Sequence, residues 1–414
     1  MFSALFVSAA RVRAVQAGPA GALLVSFAQA LSQAGYASIT ARRHLRAAEH
    51  FAWWTDRTGV AVHALTHALA DRFGRHVPRC RCPGFGRSDP TLLHSIRLFL
   101  RHLEDTGTIR VAPAASVVSE PPLVGAFRRW MLQQRGTCEK TLDQYAAHIG
   151  PLLARVGQDA AALDARSLRE FVLEGHHTCG WAAAKKRTTA LRAFVRFLIA
   201  DGRCQSGLMG AIPVLAHWRL ASLPRYVPEE DVERLVASCD ARSPVGTRDR
   251  AILLLLARLG LRAGDIVQLR LSDIDWAGGW IRVCGKGRRE ARLPLTHEVG
   301  QALVTYLVDG RRQMDSDVVF LRSRPPFGAF RSHCAVSVIV AAAFRRAGVR
   351  RPSRGAAHLL RHSIASAMLR HGGSLQEIAA VLRHRSVATT QIYAKVDVTA
   401  LRQIAQPWPE VSSC

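Results

Sequence analysis

Two stretches in the first half of the chain repeat each other at the length of a domain. Phe27 and Leu31, then Gly35 with Thr40 five residues later, answer to Phe127 and Met131, then Gly136 with Thr141 five residues later. Leu65 and Phe73 answer to Leu163 and Phe171, and the run from Ser95 to Leu103 answers to the run from Ala190 to Leu198. Each copy closes on a glycine, Gly107 or Gly202, and the offset stays between 95 and 101 residues. A period that long means two copies of one unit, because solenoid repeats are shorter. Apolar residues at three-to-four spacing, Phe194 and Leu198 among them, make the unit helical. Thr40 and Thr141 stand where they could cap its second helix. The adjacent Trp53 and Trp54 are expected to pack in the first copy's core.

With 414 residues the chain exceeds one ordinary core, so further domains must follow the pair. The expected division is a tail over 1–21, a first helical domain over 22–110, a second over 119–205, a third domain over 225–405 and a tail over 406–414. Proline-containing loops, Val111 to Pro122 and Gln205 to Val227, separate the three.

Lys plus Arg number 57 against 31 acids, a net charge of +26 and a pI near 11.2. A surplus of that size points to a polyanion, most often nucleic acid. Only five of the basic residues are lysines, the mark of a GC-rich genome, but that bias explains Arg over Lys and not the excess charge. Nine cysteines lack framework spacing, so no disulfides are expected and a reducing cytoplasm suits the chain. His76, Cys80 and Cys82 could be zinc ligands, yet no fourth is evident and Cys-x-Cys is shorter than the common knuckle, so no metal is expected. The first acidic residue is Glu49, but the amino terminus lacks the charged-then-apolar order of a secretory signal. The longest apolar runs, Ala251 to Ala257 and Ala335 to Phe344, are too short to span a membrane.

The third domain opens on Pro228-Glu-Glu-Asp, a proline in the first turn with acids at the positive end of a helix dipole. A helix is expected over Arg248 to Leu259. Trp280 to Cys284 and Glu290 to Leu295 flank Gly285-Lys286-Gly287-Arg288 and read as two strands on a tight turn. Helices resume over Ala335 to Ala347, His358 to His371, Leu375 to Leu382 and Thr389 to Val396. On these elements lie His358 and Arg361, three residues apart on one helix face, then His384 and Tyr393.

Those residue types suit attack by a tyrosine oxygen on a phosphodiester. The reaction builds negative charge on the non-bridging oxygens and expels a sugar hydroxyl, so it needs fixed cationic donors and a proton source. Arginine supplies the first, gripping two oxygens without losing its proton. Lysine can supply the second, which makes Lys286, in a chain so poor in lysine, informative.

Gly260-Leu-Arg262-Ala-Gly-Asp265, Gly285-Lys286-Gly287, His358-x-x-Arg361-His362, Leu382-x-His384 and Tyr393 together resemble the signature of the tyrosine recombinases, the phage-integrase and Xer-like family. The resemblance covers about Pro228 to Val398. It implies a mainly α chain whose catalytic domain is α+β with a small antiparallel sheet; the two helical copies before it read as successive SAM-like bundles, the first an extra one without a counterpart in the family's minimal two-domain members. It also implies a site-specific DNA recombinase, integrase- or transposase-like and belonging to a mobile element, that cuts and rejoins DNA through a 3′-phosphotyrosine at Tyr393. On this pattern Arg262 and Arg361 clamp the phosphate and Tyr393 is the nucleophile. His358 is an acid/base and phosphate ligand, His384 a further donor, Lys286 the acid for the 5′ hydroxyl, and Asp265 supports the first arginine. No metal, nucleotide or other cofactor is implied.

The same resemblance makes the second helical copy a core-binding domain, with Lys185, Lys186, Arg187 and Arg192 against phosphates. Its partners would be double-stranded DNA at specific sites and other protomers, in a homotetramer or with related recombinases, in the cytoplasm and away from membranes. The segment after Tyr393 would dock on a neighbouring protomer. The residue before His384 is usually glycine in the family and is Arg383 here. The rival expectations are a type IB topoisomerase and a non-catalytic architectural DNA binder.

Overall fold

The computed structural model describes residues 2–6, 8–85, 91–109, 120–158, 160, 163–178, 180–214, 223–285, 290–352, 355–384, 386–396 and 402. It divides into two compact units, one of Met1–Thr106 with Arg219–Cys414 and one of Gly107–Trp218.

The duplicated motif folds as two four-helix sets. In the first, α2 (Gly21–Gln33), α3 (Ser38–Arg57), α4 (His67–His76) and α5 (Leu92–Asp105) bury Phe27, Leu31, Phe73, Phe99 and Leu103. In the second, α6 (Pro122–Arg135), α7 (Glu139–Val156), α8 (Ala165–Thr178) and α9 (Trp181–Ala200) bury Phe127, Met131, Phe171, Phe194 and Leu198 in the corresponding places. The paired glycines share a backbone conformation: Gly35, Gly136, Gly107 and Gly202 all have positive φ and close helices that L residues would end less comfortably. Thr40 and Thr141 do not cap. The helices begin earlier, at Ser38 and Glu139, with Ala37 and Cys138 at their amino ends, because each glycine turns the chain sooner than a cap at the threonine would require.

The amino-terminal segment, expected as a tail, is helical. A short 3-10 turn (Phe2–Leu5) leads to α1 (Ala9–Gln16), whose Val15 is buried and whose Arg11 pairs with Glu49 of α3 at 2.5 Å. Trp54 is buried among Phe51, Phe73 and His76, while Trp53 is half-buried under the Arg57 guanidinium.

The carboxy-terminal domain is built around α11 (Pro244–Arg258). Its run Ala251 to Leu256 is apolar on every side, so this helix is enclosed on all faces, and each of those residues is fully buried. Around it pack α10 (Glu229–Ala237), α12 (Ala263–Gln268), α13 (His297–Thr305), α14 (Cys334–Arg346) and α15 (Ala356–Arg370). The sheet is antiparallel in the order β1-β2-β3, from β1 (Ile274–Asp275), β2 (Trp280–Cys284) and β3 (Glu290–Pro294). Alternation along β2 buries Ile281 and Val283 against Leu293 and Ala291 of β3. Beyond α15 come α16 (Leu375–Val381) and two 3-10 turns, Val387–Thr389 and Gln391–Val396. The helix expected over Thr389 to Val396 is thus wound more tightly. Among the described residues no single helix is long and apolar enough to cross a membrane.

Candidate active site

Three backbone carbonyls organise the site. Arg361, on the buried face of α15, donates to the carbonyls of Gly260 and Leu382. Arg262, at the amino end of α12, donates to the carbonyls of Leu382 at 3.4 Å and Arg383 at 3.1 Å. Two guanidiniums that are far apart in sequence are thereby aimed by one turn, residues 382–384.

That turn closes α16 as a Schellman motif. The N–H of His384 donates to the carbonyl of Ala379 at 2.9 Å and that of Arg383 to Ala380 at 3.0 Å, with Arg383 in the left-handed region at φ 53. Glycine is the usual residue at such a position, which gives a physical reason for the family's preference there. Here the arginine side chain folds inward and pairs with the buried Asp265 carboxylate at 2.8 Å. Asp265 also accepts the backbone N–H of Arg262 at 3.0 Å, so it supports the first arginine through its main chain. Nε and Nη1 of Arg383 are buried and lack a hydrogen-bond partner among the described residues.

Tyr393, on the last 3-10 turn, is 2 % exposed and packs with Ala365, Leu369, Ile378 and Leu382. Burial pushes its phenol up to about 12. The phenol oxygen lies 2.6 Å from Nδ1 of His362, and a protonated phenol beside a neutral imidazole donates that bond. Burial, then His358 and Arg361, push His362 down to about 4. His384 is pushed to about 4 by burial and then by Arg361 and Arg262, and its Nδ1 is 2.8 Å from Oγ1 of the buried Thr390. His358, one helical turn before His362, lies on the exposed rim, its basicity lowered by loss of hydration and then by Arg361 and Arg262. Arg361 is depressed to about 9, first by burial and then by the positive charges of Arg262 and Arg383.

The structure therefore gathers Arg262, His358, Arg361, His384 and Tyr393. Lys286 lies outside the described residues. Sequence reasoning passed over His362, although its spacing of four from His358 on one helix was visible. It also had no means of seeing where the Arg383 side chain goes.

The expected DNA-contact residues of α9 fall into two kinds. Lys185 and Lys186 are exposed, with the Lys185 ammonium over the Trp181 ring at 5.0 Å. Arg187 lies 3.6 Å over the face of Phe171, and Arg192 donates to the carbonyls of Ile212 and Pro213 at 3.4 and 3.2 Å. Arg192 is engaged in tying α9 to the segment that follows it.

Residues 225–399 match the model of the phage integrase family. The chain is 37 % identical over 398 residues to "Putative integrase/recombinase y4rA" of Sinorhizobium fredii (strain NBRC 101917 / NGR234), covering 95 % of each chain. It is 32 % identical over 289 residues to "Tyrosine recombinase XerC" of Azotobacter vinelandii (strain DJ / ATCC BAA-1303), covering 67 % of this chain and 93 % of that one. Among solved structures, a XerH site-specific recombinase bound to palindromic difH substrate in a post-cleavage complex shares the fold. Its TM-score is 0.54 at 18 % identity, covering 81 % of this chain and 93 % of that one.

Proposed function

We propose, for a chain that belongs to the phage integrase family of tyrosine recombinases, that Tyr393 attacks a DNA phosphate held by Arg262 and Arg361. The protein is a site-specific DNA recombinase, an enzyme that cuts and rejoins strands. The observation that carries the residue assignment is the charge imbalance of the cleft: among the described residues the guanidiniums of Arg262 and Arg361 meet at the Leu382 carbonyl beside Arg383, and the carboxylate set against these three charges, Asp265, pairs with Arg383. Nε and Nη1 of Arg383, buried without a hydrogen-bond partner among the described residues, favour an anion nearby, and Tyr393 packs against Leu382 at the same turn.

The step balances as a transesterification. The Tyr393 oxygen forms a bond to phosphorus as its proton passes toward Nδ1 of His362, and the bond to the 5′ oxygen breaks. Arg262, Arg361 and His384 meet the charge that grows on the non-bridging oxygens. Lys286, by the family pattern, returns a proton to the leaving 5′ oxygen. The 3′-phosphotyrosine keeps the bond energy for rejoining by a second 5′ hydroxyl, which fits a reaction needing neither metal nor ATP.

Double-stranded DNA at a recombination site is the partner, with several protomers on it, and acting on DNA places the work in the cytoplasm. A role in a mobile element is part of this proposal, and the likeness to a putative integrase/recombinase along nearly the whole length is consistent with it. On a nicked suicide duplex carrying the element's end, the wild-type chain should form a covalent adduct that survives denaturant. Tyr393→Phe should form none, and an adduct in that variant would refute the nucleophile. His362→Ala should slow adduct formation about a hundredfold, the usual yield of a positioned proton acceptor, with DNA affinity unchanged.

A further inference from the structure

We infer that the first helical bundle holds a structural zinc ion in a Cys2His2 site. Folding supplies the fourth ligand that the His76, Cys80 and Cys82 pattern lacked: His50, from the middle of α3. Nε2 of His50 lies 3.3 Å from Sγ of Cys80, and Nε2 of His76 lies 3.3 Å from Sγ of Cys82. All four atoms lie within 4.8 Å of one another. A tetrahedral zinc with ordinary bond lengths sets its nitrogen and sulfur ligands about 3.3 to 3.8 Å apart, so the set needs only small movement to close on the ion.

Two independent histidine–cysteine hydrogen bonds would not require the pairs to meet, whereas a metal does. The surroundings suit one. His50 is 2 % exposed, stacked on Phe85 with ring centroids 4.3 Å apart and met edge-on by Phe73 at 4.8 Å, which sets its ring plane. The backbone N–H of Cys82 donates to Sγ of Cys80 at 3.2 Å, as amides do around metal-bound thiolates. Two sulfurs and two imidazole nitrogens in a tetrahedral arrangement select zinc over the hard cations.

Binding deprotonates both thiols and releases two protons, leaving a neutral centre of Zn²⁺, two thiolates and two imidazoles. Its work is mechanical. The segment after α4 has only a 3-10 turn, Val77–Arg79, before it reaches the cysteines, and the ion pins that segment to α3 and α4. The site lies in the extra bundle and does not depend on the reading of Tyr393.

Elemental analysis of the full-length protein should find about one zinc per chain, and cobalt substitution should give the visible bands of a tetrahedral thiolate site. Cys80→Ser with Cys82→Ser should lower the zinc content at least about tenfold, whereas His76→Cys and Cys204→Ser should retain it. Because the double variant could misfold, a chelator is added to the wild-type chain. It should remove the metal and lower the melting temperature, with zinc restoring both. A wild-type chain that stays metal-free after incubation with zinc chloride would overturn the site, as would full zinc in the double variant or no chelator effect on stability.

Discussion

Arg383 shows how one side chain can be expensive locally and still belong. An L residue in the left-handed region costs about 1 kcal/mol, and the backbone takes that conformation because the Schellman turn of α16 demands it. The arginine offsets the strain by pairing with Asp265, whose carboxylate would otherwise be buried without a full charge partner. The two terms separate experimentally. Arg383→Gly loses the pair but relieves the strain, whereas Arg383→Ala loses the pair and keeps it. In urea titrations Ala should be less stable than Gly by about 1 kcal/mol, and equal stabilities would remove strain from the account. Arg383 was visible in the sequence as a departure from the family pattern. Its consequence was not, because Asp265 is 118 residues away and only the fold brings them together.

At the scale of elements, the site depends on how three segments meet at Gly260. Its φ is 57, and a Cβ there would lie 2.8 Å from Cδ2 of Leu382, the residue whose carbonyl aims both arginines. Gly260 also offers its own carbonyl to Arg361. Gly260→Ala should therefore cost about 1–3 kcal/mol of stability and slow DNA cleavage more than that loss explains, because both guanidiniums shift. A stopped assay of adduct formation at a temperature where the variant remains folded would test it, and a normal rate would mean that the turn does not position the arginines. The elements themselves were largely legible. Apolar spacing revealed the duplicated helices, and the helix expected over Arg248 to Leu259 is there, begun earlier at Pro244. The amphipathic alternation of Trp280 to Cys284 revealed the strand. The helix starts were misplaced at Thr40 and Thr141 because a left-handed glycine, not a polar cap, decides where those helices begin. Strand β1 has two residues and gave no periodicity to read. The pairing of His362 with Tyr393 and the arrival of His50 beside Cys80 are long-range meetings that no local pattern encodes.

Across the whole molecule the surplus of +26 charges must divide between those that meet DNA and those that hold the fold. The second bundle shows the division on one helix. Lys185 and Lys186 face solvent on α9, whereas Arg192 on the same helix spends its guanidinium on the carbonyls of Ile212 and Pro213. Counterion release distinguishes the two classes. Each phosphate neutralised adds about 0.9 to the slope of log affinity against log salt. Replacing Lys185 and Lys186 by Ala should therefore lower that slope by about 2 without changing the melting temperature. Arg192→Ala should leave the slope alone and destabilise the bundle, since two half-buried carbonyls lose their donor. Binding titrations of a site-bearing duplex over a range of salt concentrations, paired with thermal melts, read both quantities. A reversed outcome, with the slope following Arg192 and the melt following the lysines, would place the DNA on a different face of this bundle.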